Sequence, residues 1–281
     1  MLAIIGGTGF YQIEGLEITA VLDMDTPFGK PSAPVVQAAY QQKKILFLPR
    51  HGASHEWLPH EINYRANIFA LKKLGATRII SVSATGSLKE DIHPGELVIP
   101  SQYFDWTRGR RQASFFGNGL AAHISTAEPV CSSLTRWIAD HAGEMDLPLH
   151  TGRTYACVEG PRLGTKAESQ FLRLAGCDLV GMTNVPEAFL AKEAQLCYAA
   201  ICIITDYDCW KDDPSHHASL ASVLALYSKS IQKAQALLRS LMASELPSAD
   251  PACRMSLKDA VITQDAQVPE PLKEILAVLR K

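Results

Sequence analysis

Along this chain, short apolar runs alternate with stretches of helical spacing. Residues 2–5 form an apolar run that breaks at Gly6-Gly7-Thr8-Gly9, which predicts a buried first strand feeding a glycine loop. Residues 44–48 (KILFL) predict a second buried strand, ending at Pro49-Arg50-His51-Gly52. Ile68, Leu71 and Leu74 fall at helical spacing within 63–74, and Gly75 stops that helix. Further strands are predicted at 78–84, 96–100, 152–158, 178–182 and 197–205, and further helices at 132–145, 166–175 (closed by Gly176) and 186–195. Leu220, Val223, Leu224, Tyr227, Ile231, Ala234, Leu238 and Leu241 share one face of a long helix. Continuous apolar strands alternating with helices predict an α/β fold: one domain with a central mixed, mainly parallel twisted sheet flanked by helices. That domain spans 1–243. Residues 244–253 read as a linker, and 244–281 as a C-terminal tail carrying a short helix at 269–279.

Composition narrows the function classes. Of the 281 residues, 47 % are apolar and 20 % charged, which suits a large core. The formal net charge of -2 predicts no broad attraction to nucleic acid or an anionic membrane. The N-terminal stretch lacks the basic flank and the apolar length of a signal peptide, and no window reaches the ~18 apolar residues of a membrane helix. Seven cysteines, an odd number, several inside apolar runs, predict reduced buried thiols in a cytoplasmic protein. No C-x-x-C pair exists, and Gly52 argues against a helix presenting His51 and His55 to a metal, so no metal site is expected.

The strand ends carry the chemistry. In such folds ligands bind beyond the carboxyl ends of the strands. Four ends supply hydroxyls, open backbone N–H groups and a guanidinium: Gly6-Gly7-Thr8-Gly9, Arg50-His51-Gly52, Ser83-Ala84-Thr85-Gly86 and Met182-Thr183-Asn184. That set fits an oxyanion such as phosphate. A fifth end, Thr205-Asp206-Tyr207-Asp208-Cys209-Trp210, puts two carboxylates after a buried run, on the same side if the chain stays extended. Mutual repulsion raises at least one pKa, so one carboxyl can hold a proton near neutrality while the other accepts from an amine. Helix capping or a solvated turn is the competing structural explanation. A dinucleotide-dependent oxidoreductase is the competing enzyme class, but Gln12 stands at the third glycine position of its fingerprint. A non-catalytic nucleoside-binding module would not need Thr8, Arg50 and Thr183 together.

These motifs, with Asp25-Thr26-Pro27-Phe28-Gly29-Lys30-Pro31, Asn63-Tyr64-Arg65-Ala66-Asn67, Glu159-Gly160-Pro161-Arg162 and Val185-Pro186-Glu187, occur in one order. From Ile4 to about Leu241 the chain resembles the trimeric purine nucleoside phosphorylase family, in its 5′-methylthioadenosine branch. The resemblance implies phosphorolysis of 5′-methylthioadenosine to adenine and 5-methylthioribose 1-phosphate, with inorganic phosphate as co-substrate and no cofactor. It implies a homotrimer with shared active sites. Thr8, Arg50, His51, Ser83, Ala84 and Thr183 would surround phosphate, with serine at 83 where the family usually has threonine. Met182 would lie under the ribose, and Asp206 and Asp208 would hold the base, Asp206 being favoured as the acid. His123 would reach the 5′ end of a neighbour's substrate, and Leu220 and Val223 would form an apolar wall. Leu163-Gly164 stands where this branch usually has Phe-Ser. The 6-oxopurine enzymes carry a glutamate near this point and an asparagine near Asp206, so both positions imply adenine here. A broader enzyme acting on adenosine, or on 6-oxopurine nucleosides such as 5′-methylthioinosine, remains the alternative, with His216 or His217 accepting a 5′-hydroxyl.

Overall fold

The structure, a computed structural model, describes residues 1–6, 13–211 and 220–281, giving only the backbone for 220–229. Strand β1 (Leu2–Gly6) is buried throughout. Its Leu2 and Ile4 belong to one apolar cluster, Ala3 and Ile5 to another. The two-residue period of a strand requires this when both faces are covered. Strands β4 (Lys43–Pro49), β5 (Arg78–Ser87) and β9 (Cys197–Asp206) divide likewise. Ile45, Phe47, Ile80, Val82, Ile201 and Ile203 face one way; Leu46, Leu48, Ile79, Ala200 and Ile204 face the other.

Helices close both sides. Leu134 and Ile138 of α2 (Ser132–Glu144) join Leu237, Leu238 and Leu241 of α5 (Leu220–Ala243) over the first cluster. The second receives Ile68, Phe69 and Leu71 of α1 (Tyr64–Lys73) and Leu190 and Ala191 of α4 (Asn184–Glu193). Helix α3 (Lys166–Leu174) opens with a reciprocal cap in which Thr165 accepts from the Glu168 N–H and Glu168 accepts from the Thr165 N–H. Gly75 and Gly176 stop α1 and α3 at φ of +89 and +82, a conformation only glycine adopts cheaply.

The remaining strands are β2 (Glu17–Leu22), β3 (Val35–Tyr40), β6 (Leu97–Trp106), β7 (Leu149–Val158) and β8 (Leu179–Gly181). The order β2-β3-β4-β1-β5-β8-β7-β6-β9, with β9 returning to pair β5, forms one sheet. Five of its nine pairings are parallel, so the sheet is mixed and mainly parallel, as the sequence predicts. The sequence does not predict that the part from β5 to β9 closes into a ring. Along one edge β5 pairs β9; along the other its first half pairs β1 and its last residues pair β8. β2 and β3 are also additions to the expected strands, and β6 runs on past Pro100.

The short helix α6 (Pro251–Arg254) begins within the last residues of the expected linker and runs one residue past it. In the tail, α7 (Glu270–Leu279) seats Ile275, Val278 and Leu279 in the same cluster as α1. Arg254 donates to the Gln195 carbonyl, and the His123 N–H donates to the Ala260 carbonyl. Among the described residues no helix is long and apolar enough to cross a membrane.

Candidate active site

The topology brings the polar strand ends to one place. β1 and β4 end in register at Gly6 and Pro49, and the next N–H, of Arg50, donates to the Gly6 carbonyl. Beside β1, strand β5 pairs with β9 through Ser83 opposite Cys202 and Gly86 opposite Asp206. An irregularity at Thr85/Gly86 places one extra residue in β9 there, and such bulges re-aim side chains beside active sites. Ala84 is exposed while its strand neighbours are buried, so β5 opens to solvent at this point.

Arg50 is 1 % exposed. Its Nε and Nη2 donate to the two Glu187 oxygens at 2.7 and 3.0 Å, Nη2 also to Ser81 Oγ, and Nη1 to the Val82 carbonyl at 3.2 Å. The Tyr198 hydroxyl donates to Glu187 as well, at 2.8 Å. Burial alone would push the guanidinium pKa down; the Glu187 carboxylate overrides this and holds it well above the ordinary arginine value. Of five N–H donors one, on Nη1, is left for a ligand among the described residues. The Arg50 charge is thus already balanced by Glu187.

His51 is half-buried, and its Nδ1–H donates to the Trp57 carbonyl at 2.9 Å. Burial, then the Arg50 charge, pushes its pKa down to about 4, so the ring is neutral at pH 7 and Nε2 is an acceptor. Its ring stacks on His55 at 4.3 Å. Ser83 Oγ donates to Asn184 Oδ1 at 3.2 Å, next to Thr183, which precedes α4 and is 7 % exposed. The backbone therefore places Arg50, His51, Ser83, Ala84 and Thr183 around one region.

Asp206 and Asp208 meet, although not by simple alternation. The chain turns at Asp208, whose φ is +53, and its N–H donates to Asp206 Oδ1 at 2.7 Å. Asp206 Oδ2 accepts from the Thr205 hydroxyl at 2.7 Å. A Cβ at Gly86 would stand 2.8 Å from Asp206 Oδ1, so glycine leaves the room this carboxyl occupies. Burial raises the pKa of both carboxyls, and the Asp206 charge raises that of Asp208 further. A Cβ at Gly164 would stand 3.7 Å from Asp208 Oδ2, and both residues line a cleft with Trp106, Val158 and Gly160. Met182 packs on Gly160, where any Cβ would come within 2.5 Å of its sulfur. Leu163 is exposed, and so is His123, on the segment that meets the tail. Thr8 and His216 and His217 lie outside the described residues, as do the side chains of Leu220 and Val223.

Sequence reasoning passed over Arg111. Its buried guanidinium donates to Glu159 Oε1 at 3.0 Å and to the carbonyls of Glu159, Met182 and Val185 at 3.0, 2.8 and 2.6 Å. It ties the loop after β7 to the loop after β8, the two that carry Gly160 and Met182. The run Arg108-Gly109-Arg110-Arg111 reads as a solvated basic stretch, and only the fold shows that one of its arginines is a core hub. The role of Glu187 was equally hidden, 137 residues from Arg50.

The sequence pattern of the phosphorylase superfamily matches residues 1–243. The S-methyl-5′-thioadenosine phosphorylase of Geobacter sulfurreducens is 43 % identical over 99 % of this chain and 97 % of that one. That of Nitrosopumilus maritimus is 44 % identical over 92 % of this chain and 97 % of its own. Among solved structures, a methylthioadenosine phosphorylase from an antarctic soil metagenomic library superposes with a TM-score of 0.92 at 38 % identity, covering 99 % of this chain and 98 % of the other. The methylthioadenosine phosphorylase of Schistosoma mansoni, in complex with adenine, superposes with a TM-score of 0.87 at 33 % identity, covering 94 % and 99 %.

Proposed function

This chain belongs to the phosphorylase superfamily, and from that premise we propose that it cleaves 5′-methylthioadenosine with inorganic phosphate. The products are adenine and 5-methylthioribose 1-phosphate. The observation that carries the reading is the carboxyl pair of half-buried Asp206 and buried Asp208 at the end of β9, beside the same strand β5 that carries Ser83. The C1′–N9 bond breaks and a C1′–oxygen bond to phosphate forms, through a ribosyl cation. The leaving purine takes a proton at N7 from Asp206, and Asp208 accepts from its exocyclic amine. General acid help of this kind is worth roughly 10²- to 10⁴-fold.

Phosphate sits among Thr8, Arg50, His51, Ser83, the Ala84 backbone and Thr183. Because Glu187 balances Arg50, donors and dipoles rather than net charge hold the anion there. Neutral His51 offers Nε2 as an acceptor, which suits the O–H of a monoprotonated phosphate. Met182 supports the ribose, and Leu163, Gly164, Leu220 and Val223 complete the nucleoside pocket. The Asp208 carboxylate faces an amine better than a carbonyl, so adenine is chosen over 6-oxopurines; a buried mispairing costs ~1–3 kcal/mol.

We extend the reading to assembly and location. His123 and the apolar group Trp106, Phe171 and Leu174 are exposed, and Trp106 lines the cleft, a surface suited to a neighbouring copy in a homotrimer. Seven free thiols suit the reducing cytoplasm. The phosphate assignment is tested with Thr183→Val, which keeps the shape and removes the hydroxyl. Its KM for phosphate rises about tenfold or more while nucleoside binding is kept; an unchanged phosphate KM removes Thr183 from the site.

A further inference from the structure

Three cysteines distant in sequence converge at the far end of the molecule from the cleft. Cys131 immediately precedes α2, Cys197 opens β9, and Cys253 lies in α6 of the tail. Their sulfurs all lie within 4.8 Å of one another, and the residues are 1 %, 1 % and 2 % exposed. Around them the core is apolar, with Leu134, Ile138 and Leu241 in the same cluster. Ser133 Oγ lies 3.2 Å from the Cys131 sulfur.

We propose that Cys131, Cys197 and Cys253 form a binding site for a soft, thiophilic metal cation of the Zn²⁺ type. Three sulfurs in an apolar setting, with no imidazole or carboxylate among them, are the donor set that soft ions prefer. The geometry is close to what coordination needs. Metal–sulfur bonds of about 2.3 Å put three ligands about 3.8 to 4.0 Å apart. Contraction of the cluster by an ångström or less, within side-chain rotation, therefore completes the site. Binding exchanges thiol protons for the metal, and three thiolates with one divalent ion leave a single negative charge. The N-terminal end of α2, which Cys131 immediately precedes, favours that charge.

The site would clamp the tail, through Cys253, to α2 and to the root of β9. It is separate from the chemistry: Cys197 and Asp206 are the two ends of a ten-residue strand, roughly 30 Å apart.

The full-length reduced chain, held anaerobically with a phosphine reductant, is titrated with Cd²⁺ while thiolate-to-metal charge-transfer absorption is followed. The proposal predicts one equivalent per chain, displaced by Zn²⁺. Affinity falls at least a hundredfold in Cys253→Ala and is unchanged in Cys209→Ala. Zinc-edge X-ray absorption on the wild-type chain, which does not depend on any variant folding, then counts three sulfur neighbours. Absence of a charge-transfer band at one equivalent, a band of full affinity in Cys253→Ala, or a zinc shell of oxygen and nitrogen alone would overturn it.

Discussion

In the proposed reading, base recognition turns on Asp206. It is held from two directions, by the Thr205 hydroxyl and the Asp208 N–H, over the space that Gly86 leaves. Burial keeps its proton to higher pH than an exposed aspartate would. Where a protonated acid is needed, rate should therefore be present at low pH and lost as pH rises through that raised pKa. Asp206→Asn cannot deliver the proton, but its amide can face a 6-oxo group. We expect kcat/KM on 6-aminopurine nucleosides to fall at least a hundredfold, with a measurable rise on inosine-type substrates; initial rates on matched pairs check this. Unchanged kinetics would remove Asp206 from the base. At this scale the sequence was informative about which residues gather and silent about their partners. Arg50 is legible as a cation at a strand end, but Glu187 is not legible as its counter-ion, because the contact spans 137 positions. That partner changes the chemistry, since the region proposed for phosphate holds less net charge than Arg50 alone suggests.

Among the elements, those that bury both faces were legible, because continuous apolar runs such as 197–205 leave one reading. β2 and β3 were not. β2 is mostly exposed and β3 buries only Val35 and Ala38. Ring closure was not legible either: β6 meets β9 through just Leu97–Ile203 and Val98–Cys202, a pairing no local pattern encodes. Helix α4 carries a pH-sensitive tie of its own. Near its C-terminal end, Glu193 accepts from Ser114 Oγ and the Phe115 N–H, both at 2.7 Å. Burial raises its pKa from 4.5 to about 7. The folded chain thus keeps a proton that the unfolded chain releases above pH 4.5, so this contribution to stability is full below that value and is lost as pH rises to about 7. One such proton gives a slope of about 1.4 kcal/mol per pH unit. Glu193→Gln should flatten the decline, seen as urea midpoints at pH 5, 6 and 7 that vary less than those of the wild type. An identical pH profile would mean that Glu193 titrates normally.

The whole molecule joins a closed strand ring to an open sheet, with β5 common to both. That junction sets the ends of β1, β4 and β5 beside the end of β9, and in the proposed reading phosphate and base are gripped from opposite sides of one sugar. The tail contributes Ile275, Val278 and Leu279 to the main core, which makes it part of the folded body. The central claim is phosphorolysis of an adenine nucleoside bearing a 5′-methylthio group. It is tested most directly by release of free base from methylthioadenosine, adenosine, methylthioinosine and inosine, each with and without phosphate. The account predicts phosphate-dependent release, with methylthioadenosine leading by a hundredfold or more in kcat/KM, about 2.7 kcal/mol of transition-state discrimination. Release that ignores phosphate, or a lead for either inosine nucleoside, would contradict it.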